Sequence, residues 1–327
     1  MCPPALYGCF TGCLGAAVAR ILGPVSALLV PLALGAVASS WRCDVTTTVI
    51  IVVVLATYLY GLRRSPVGRG SALAFFAGAA IWWISACAFI GVYADVLFWV
   101  RALQFVLALM VAPFFLALGK PVTVARGVVG EATIDRLLGA RAMRILASPA
   151  VTSAGVIVTP WLIYLTAWYP TLLTSYSLDV ATRVLLVACG FGYFYARLQV
   201  DPVPRRRAQG LSLLITLGET LGDGVLGVIM WQGPLIAAAY YNGLHRAWGP
   251  SIRTDQTIGA GVFWILGDIV GLPFLLVLFD RFRTDEAHRA VIVDAEQDEI
   301  EATAAEDGDG QTGLWWESHP ELRERLR

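Results

Sequence analysis

The chain has 327 residues, 57% of them hydrophobic and only 15% charged, with mean hydropathy +0.67, whereas soluble domains are roughly 45–50% apolar and 25% charged. That composition excludes an ordinary soluble domain and makes the lipid bilayer the first expected partner. The 24 basic and 24 acidic residues cancel, but the acids crowd after Asp280 and the basic residues fall in alternate loops, so no basic face is left for nucleic acid.

A bilayer core of about 30 Å takes roughly 20 apolar residues per helix. Eight runs qualify, near 21–39, 44–61, 71–91, 99–118, 148–168, 180–198, 210–230 and 258–279. They are too long and too uniformly apolar for barrel strands, and helices satisfy their own backbone in hydrocarbon. The first run contains Pro24 and Pro31, follows Arg20 and ends in small residues, so it reads as a signal sequence or as a retained helix. The retained helix is favoured, because the 20 residues before it are too long and too apolar for an ordinary signal n-region. The expected fold is therefore all-α: a polytopic transmembrane helical bundle of seven core spans with an extra N-terminal helix. Its expected divisions are 1–40, a membrane domain over 41–283, and an acidic, largely disordered tail over 284–327.

Basic loops are retained on the cytoplasmic side. One set of alternate loops carries Arg63, Arg64 and Arg69, then Lys120 through Arg144, then Arg205, Arg206 and Arg207, then Arg281, Arg283 and Arg289. The opposite loops carry only Arg42, Arg246 and Arg253. A multi-pass protein of the bacterial plasma membrane with a cytoplasmic C-terminus is expected. Between Pro121 and Leu146 the apolar residues have helical spacing with arginines between them, which predicts a helix along the cytoplasmic surface. The tail brings Trp315 and Trp316, an interfacial anchor or an incidental patch.

Charges inside apolar runs cost at least about 2.5–3.5 kcal/mol each on insertion scales, so they should face the bundle interior and be paired. They are few: Arg101, Arg183, Glu219, Asp223 and Asp268. Glu219 and Asp223 share a helix face at i, i+4 and would repel unless protonated or met by cations. Arg101 and Arg183 are the available cations, at a similar expected depth. Such a set serves either as an ion path or as a packing network. Glycines at 218, 222, 227, 259, 261, 267 and 271 would allow close helix approach.

The three histidines, His245, His288 and His319, lie outside the apolar runs, so the chain supplies no histidine for a membrane-buried haem or metal. Cys9 and Cys13 form a CxxxC pair ahead of the first run, which matches a soft metal such as Cu(I) only weakly. No Walker A, GxSxG, HExxH or CxxC pattern occurs, which leaves the common hydrolase, nucleotide and zinc readings without support. No catalytic residue, metal site or cofactor is expected.

Four stretches carry a resemblance: SSWRCD before a helix ending YLYGLRR, then ALQFVLALMVAPFFLALGKP, DPVPRR and DQTIGAGVFWILGD. In this order and spacing, over about three quarters of the chain, they resemble the CtaG family of cytochrome c oxidase assembly factors, which are seven-helix membrane proteins. The matching positions include Gln104, Pro113, Asp201, Pro202, Asp255, Gln256 and Trp264. The resemblance implies a part in maturing a haem-copper oxidase, connected with copper delivery or retention, with oxidase subunits or other assembly factors as partners.

The departures are informative. The family's signature helix usually carries two histidines where Arg101 and Phe105 stand here, and further family histidines align near Arg183 and Asp223. Arginine does not ligate copper, and carboxylates suit harder ions. The resemblance with these departures implies a divergent member in which an ion-pair network replaces a metal site, with Arg101 and Arg183 neutralising Glu219 and Asp223. A proton-coupled transporter using the same charges, and an accessory subunit of a respiratory complex, remain alternative readings of the residues.

Overall fold

The computed structural model describes residues 31, 34–198, 201, 218, 222 and 224–306. Among them there is no strand. The chain divides into two units, Met1–Leu278 and Phe279–Arg327. In chain order the helices are α1 (Leu34–Ser39), α2 (Val45–Leu62), α3 (Arg69–Cys87), α4 (Phe89–Tyr93), α5 (Phe98–Val106), a π-helical turn (Leu107–Val111) and α6 (Ala112–Leu118). Then come α7 (Pro121–Val129), α8 (Glu131–Gly139), α9 (Arg141–Leu146), α10 (Pro149–Leu165), α11 (Trp168–Thr174), α12 (Tyr176–Leu198), a helical stretch at 224–232, α13 (Ala238–Gly243) and α14 (Ile252–Glu306).

The sequence predicts seven core spans. The described residues hold four helices long and apolar enough to cross a membrane: Val45–Leu62, Arg69–Tyr93, Phe98–Leu118 and Tyr176–Leu198. A fifth is counted if α10 and α11, bent by 74°, form one span. Thr166 makes that bend. Its hydroxyl donates to the Leu162 carbonyl at 2.6 Å and accepts from the Trp168 amide at 3.1 Å, ending one helix and opening the next. Of the other expected runs, 21–39 and 210–230 lie mostly outside the described residues, and 258–279 falls within α14.

Local chemistry sets the other boundaries. Asp44 caps α2 by accepting from the Thr47 amide at 3.1 Å. Pro121 and Pro149 open α7 and α10, where a missing N–H leaves nothing unbonded. The π-helical turn precedes Pro113, whose ring would clash with the Leu109 carbonyl in a regular helix. That carbonyl is packed against α12: a Cβ on Gly190 would lie 1.8 Å from it, so α12 can come this close only with glycine at 190.

The core is aromatic near its centre. Phe98, Phe105, Tyr164, Tyr169, Tyr241 and Phe263 are all buried in one cluster, and the Tyr169 and Tyr241 hydroxyls share a 2.8 Å hydrogen bond. Outward faces stay apolar, with Val49, Val53, Leu73, Leu162 and Ile265 exposed, as lipid requires.

The expected surface helix between Pro121 and Leu146 is three short helices. Gly130 at φ +97° separates the first two, and Ala140, extended at ψ 139°, separates the second from the third. Most of this segment is exposed or half-buried, and an Arg126–Asp135 ion pair ties α7 to α8. Val124 anchors it by packing on Gly61 of α2.

Candidate functional site

Six charged side chains from four parts of the chain meet where α2, α5 and α12 begin and α4 ends. Arg42 pairs with Asp95 at 2.9 Å, Asp95 with Arg101 at 2.5 Å, Arg101 with Asp179 at 2.6 Å, Asp179 with Arg183 at 3.2 Å, and Arg183 with Asp44 at 2.5 Å. The result is a line of alternating sign, three arginines and three aspartates. Arg42 at its rim is 24% exposed, while Arg101, Asp179, Arg183 and Asp44 are 1–3% exposed.

Each member is positioned by local structure. Asp179 and Arg183 are i, i+4 on α12, so they face the same way. Arg101 lies at the start of α5; its Nε donates to the Ala94 carbonyl at 3.2 Å and its Nη1 to Gln104 Oε1 at 3.0 Å. Gln104 in turn donates to the Ser85 carbonyl at 2.7 Å. The backbone breaks at Ala88, ψ −166°, which takes the Phe89 amide out of line with Ser85 and leaves that carbonyl for Gln104. Tyr176 donates to Asp44 at 2.9 Å and Tyr240 to the Asp95 carbonyl at 3.0 Å. Burial works to raise the Asp44 carboxyl. The Arg183 charge, with hydrogen bonds from the Thr47 amide and the Tyr176 hydroxyl, outweighs it and holds the group below its ordinary value.

The other motif residues act as clasps between segments. Asp201 accepts from the Val122 and Thr123 amides at 2.6 and 2.9 Å and from the Thr123 hydroxyl at 2.5 Å, capping α7 from the far end of α12. Asp255 accepts from the Phe98 and Trp99 amides at 3.2 and 3.0 Å, capping α5, and pairs with Arg246 at 3.3 Å. Burial raises both carboxyls against these hydrogen bonds and the charges of Lys120 and Arg246. Gln256 donates to the Met230 and Pro234 carbonyls and accepts from the Ile236 amide, closing the end of the 224–232 helix. Trp264 lies over Gly224 and Gly227, and Pro113 is buried beside the π-helical turn.

Glu219, Asp223 and Pro202 lie outside the described residues, as does the side chain of Asp268. Among the described residues the partners of Arg101 and Arg183 include Asp44, Asp95 and Asp179, which sequence reasoning missed. These three flank apolar runs and read as loop residues. The available signal was spacing: Asp179 and Arg183 have the same i, i+4 relation that singled out Glu219 and Asp223.

Copper does not fit this arrangement. Arg101, Phe105 and Arg183 offer no ligating lone pair. The carboxylates of Asp44, Asp95 and Asp179 are bound to guanidinium groups and are hard ligands in any case. Among the described residues no group of three or more His, Cys, Asp or Glu side chains is arranged so that it could hold a metal ion.

Similar proteins place the chain. A family profile described as cytochrome c oxidase caa3 assembly factor matches residues 54–285. Uncharacterized proteins of Mycobacterium bovis and Mycobacterium tuberculosis are each 24% identical over 296 residues, 83% of this chain and 44% of theirs. One of Mycobacterium leprae is 22% identical over 276 residues, 79% of this chain and 42% of its own. The chain spans less than half the length of these curated relatives. No solved structure matches it. The profile match runs from α2 into α14 and takes in Arg101, Pro113, Arg183, Asp201 and Asp255, and on that ground the chain belongs to the Caa3_CtaG family of cytochrome c oxidase assembly factors.

Proposed function

We propose that this membrane protein acts in biogenesis of a haem-copper respiratory oxidase as a scaffold that contacts oxidase subunits or other assembly factors, without holding copper at the family's membrane ligand positions. The observation that carries this reading is Arg101. It is held by Asp95, Asp179 and Gln104, at the position where the family resemblance implies a ligand histidine. A guanidinium so held fixes the relative positions of α4, α5 and α12 and has no free electron pair to give a metal.

The wider network extends this role. In our reading Glu219 and Asp223 on the seventh run join it through Arg183, whose Nε and Nη1 have no hydrogen-bond partner among the described residues. Asp268 belongs to the same interior polar set. The network lies towards the extracytoplasmic side of a bacterial plasma membrane, and the C-terminus is cytoplasmic, as the loop arginines favour. A seven-span domain over 41–283, a separate segment 1–40 and an acidic tail over 284–327 complete the organisation. The role is non-catalytic.

Deletion of the gene tests the function. Haem absorption of the assembled oxidase should fall, and the protein should be captured with oxidase intermediates and not with the finished enzyme. Unchanged oxidase spectra overturn the assembly role. Purified protein should hold far less than one copper per chain; stoichiometric copper overturns the reading of the ligand positions.

A further inference from the structure

Cys43 and Cys87 are brought together at the open end of the α2–α3 hairpin, and neither is in a disulfide. The two helices are joined at one end by residues 63–68. At the other end the backbone before α2 lies directly on the end of α3. The Arg42 amide donates to the Cys87 carbonyl at 2.7 Å, and the Asp44 amide lies beside the Cys87 sulfur. Cys43 is the residue between those two contacts. Contacts on both flanks hold the Cys43 backbone against the Cys87 end of α3, and a disulfide needs Cα atoms about 4.4–6.8 Å apart. Thr48 also faces the Cys87 sulfur at 3.7 Å, and Trp83 closes the same end by donating to Thr48 at 3.2 Å and packing on Trp41.

We propose that Cys43 and Cys87 form a reversible disulfide that clamps the open end of this hairpin and fixes the neighbouring Asp44 in its contact with Arg183. The oxidant is a thiol–disulfide exchange partner carrying its own disulfide. Cys43 is half-buried and Cys87 only 1% exposed, which sets the order of events. The Cys43 thiolate, its proton lost to solvent, attacks the partner disulfide and forms a mixed disulfide, releasing one partner thiolate. The Cys87 thiolate then attacks the Cys43 sulfur and releases the second. The two protons pass to the departing sulfurs, so two thiols are oxidised and one disulfide is reduced to a dithiol. In the orientation proposed above this end faces the compartment where disulfides persist.

The test uses the full chain in detergent with glutathione disulfide as oxidant, then blocking with N-ethylmaleimide, digestion and mass spectrometry. This readout is independent of membrane orientation and of oxidase assembly. A peptide linking Cys43 to Cys87 should appear within one chain, two hydrogens lighter than the separate peptides, and dithiothreitol should return both to the alkylated form. Cys87→Ser should halt the reaction at a mixed disulfide on Cys43, while Cys189→Ser should leave the link unchanged. Should Cys87→Ser fail to fold, Cys43→Ser should leave Cys87 unoxidised under the same conditions. Full alkylation of both residues after oxidation, or linkage of Cys43 to any other cysteine or to a second chain, overturns the proposal.

Discussion

Asp179 bridges two arginines, one carboxylate oxygen 2.6 Å from Nη1 of Arg101 and the other 3.2 Å from Nη2 of Arg183, with all three side chains at most 3% exposed. One carboxylate thus joins the arginine of α5 to the arginine of α12. Its loss would leave Arg101 with Asp95 alone and Arg183 with Asp44 alone, one negative charge short between two buried guanidiniums. Asp179→Asn should destabilise the protein by about 3–5 kcal/mol, the usual range for breaking a buried pair. Asp95→Asn, at a site 17% exposed, should cost less. Unfolding in detergent measures both, and equal losses would contradict the assigned roles.

Acid should act through Asp44. Its carboxyl is held below the ordinary value of 3.8 in the folded protein, so the unfolded chain takes up the proton first as pH falls. The stability Asp44 contributes is therefore complete above the unfolded value and is lost as pH drops through the lower folded value. The stability difference between wild type and Asp44→Asn should be level above about pH 5 and shrink below 3.8. A difference independent of pH down to acid unfolding would show that Asp44 does not act through its charge.

Two glycines two residues apart on α12 should respond in opposite ways to alanine. A Cβ at Gly190 would meet the Leu109 carbonyl oxygen at 1.8 Å and Pro113 Cγ at 2.9 Å, whereas at Gly192 the nearest atom is Thr152 Cγ2 at 3.7 Å. Gly190→Ala should cost at least about 1–3 kcal/mol as α12 is pushed off the π-helical turn. Gly192→Ala should be neutral or gain up to about 1 kcal/mol from helix propensity. Thermal unfolding of the two variants checks the contrast.

The two capping aspartates should be separable by amide exchange. Asp201→Ala should speed exchange at Val122 and Thr123, and Asp255→Ala at Phe98 and Trp99. Each should cost about 0.5–2 kcal/mol, as lost N-caps do. Exchange that rises at both sites in either variant would mean that the clasps are not local.

Arg101 and Arg183 stood out in the sequence because charge is rare in apolar runs. Asp44, Asp95 and Asp179 did not, because hydropathy assigns a residue at the edge of a run to the loop beside it, and only tertiary packing carries these three inside. Asp201, Asp255 and Gln256 were recognisable as a pattern but not as clasps, since each binds backbone 20 to 157 residues away. The π-helical turn had a signal in Pro113. The break at Ala88 had none, since alanine ordinarily favours helix; Gly91 lies so close behind it that a Cβ there would be 1.9 Å from the Ala86 carbonyl oxygen. The division of 121–146 into three helices followed Gly130 and the Gly139–Ala140 step, which the apolar periodicity concealed.

The alternation of three arginines with three aspartates has an electrical consequence. A single charge displaced across a membrane gains or loses about 2.3 kcal/mol per 100 mV. A unit of zero net charge moved as one body exchanges almost none. The six side chains that tie these helix ends together, Arg42, Asp95, Arg101, Asp179, Arg183 and Asp44, carry no net charge among themselves and so give the membrane potential little to act on.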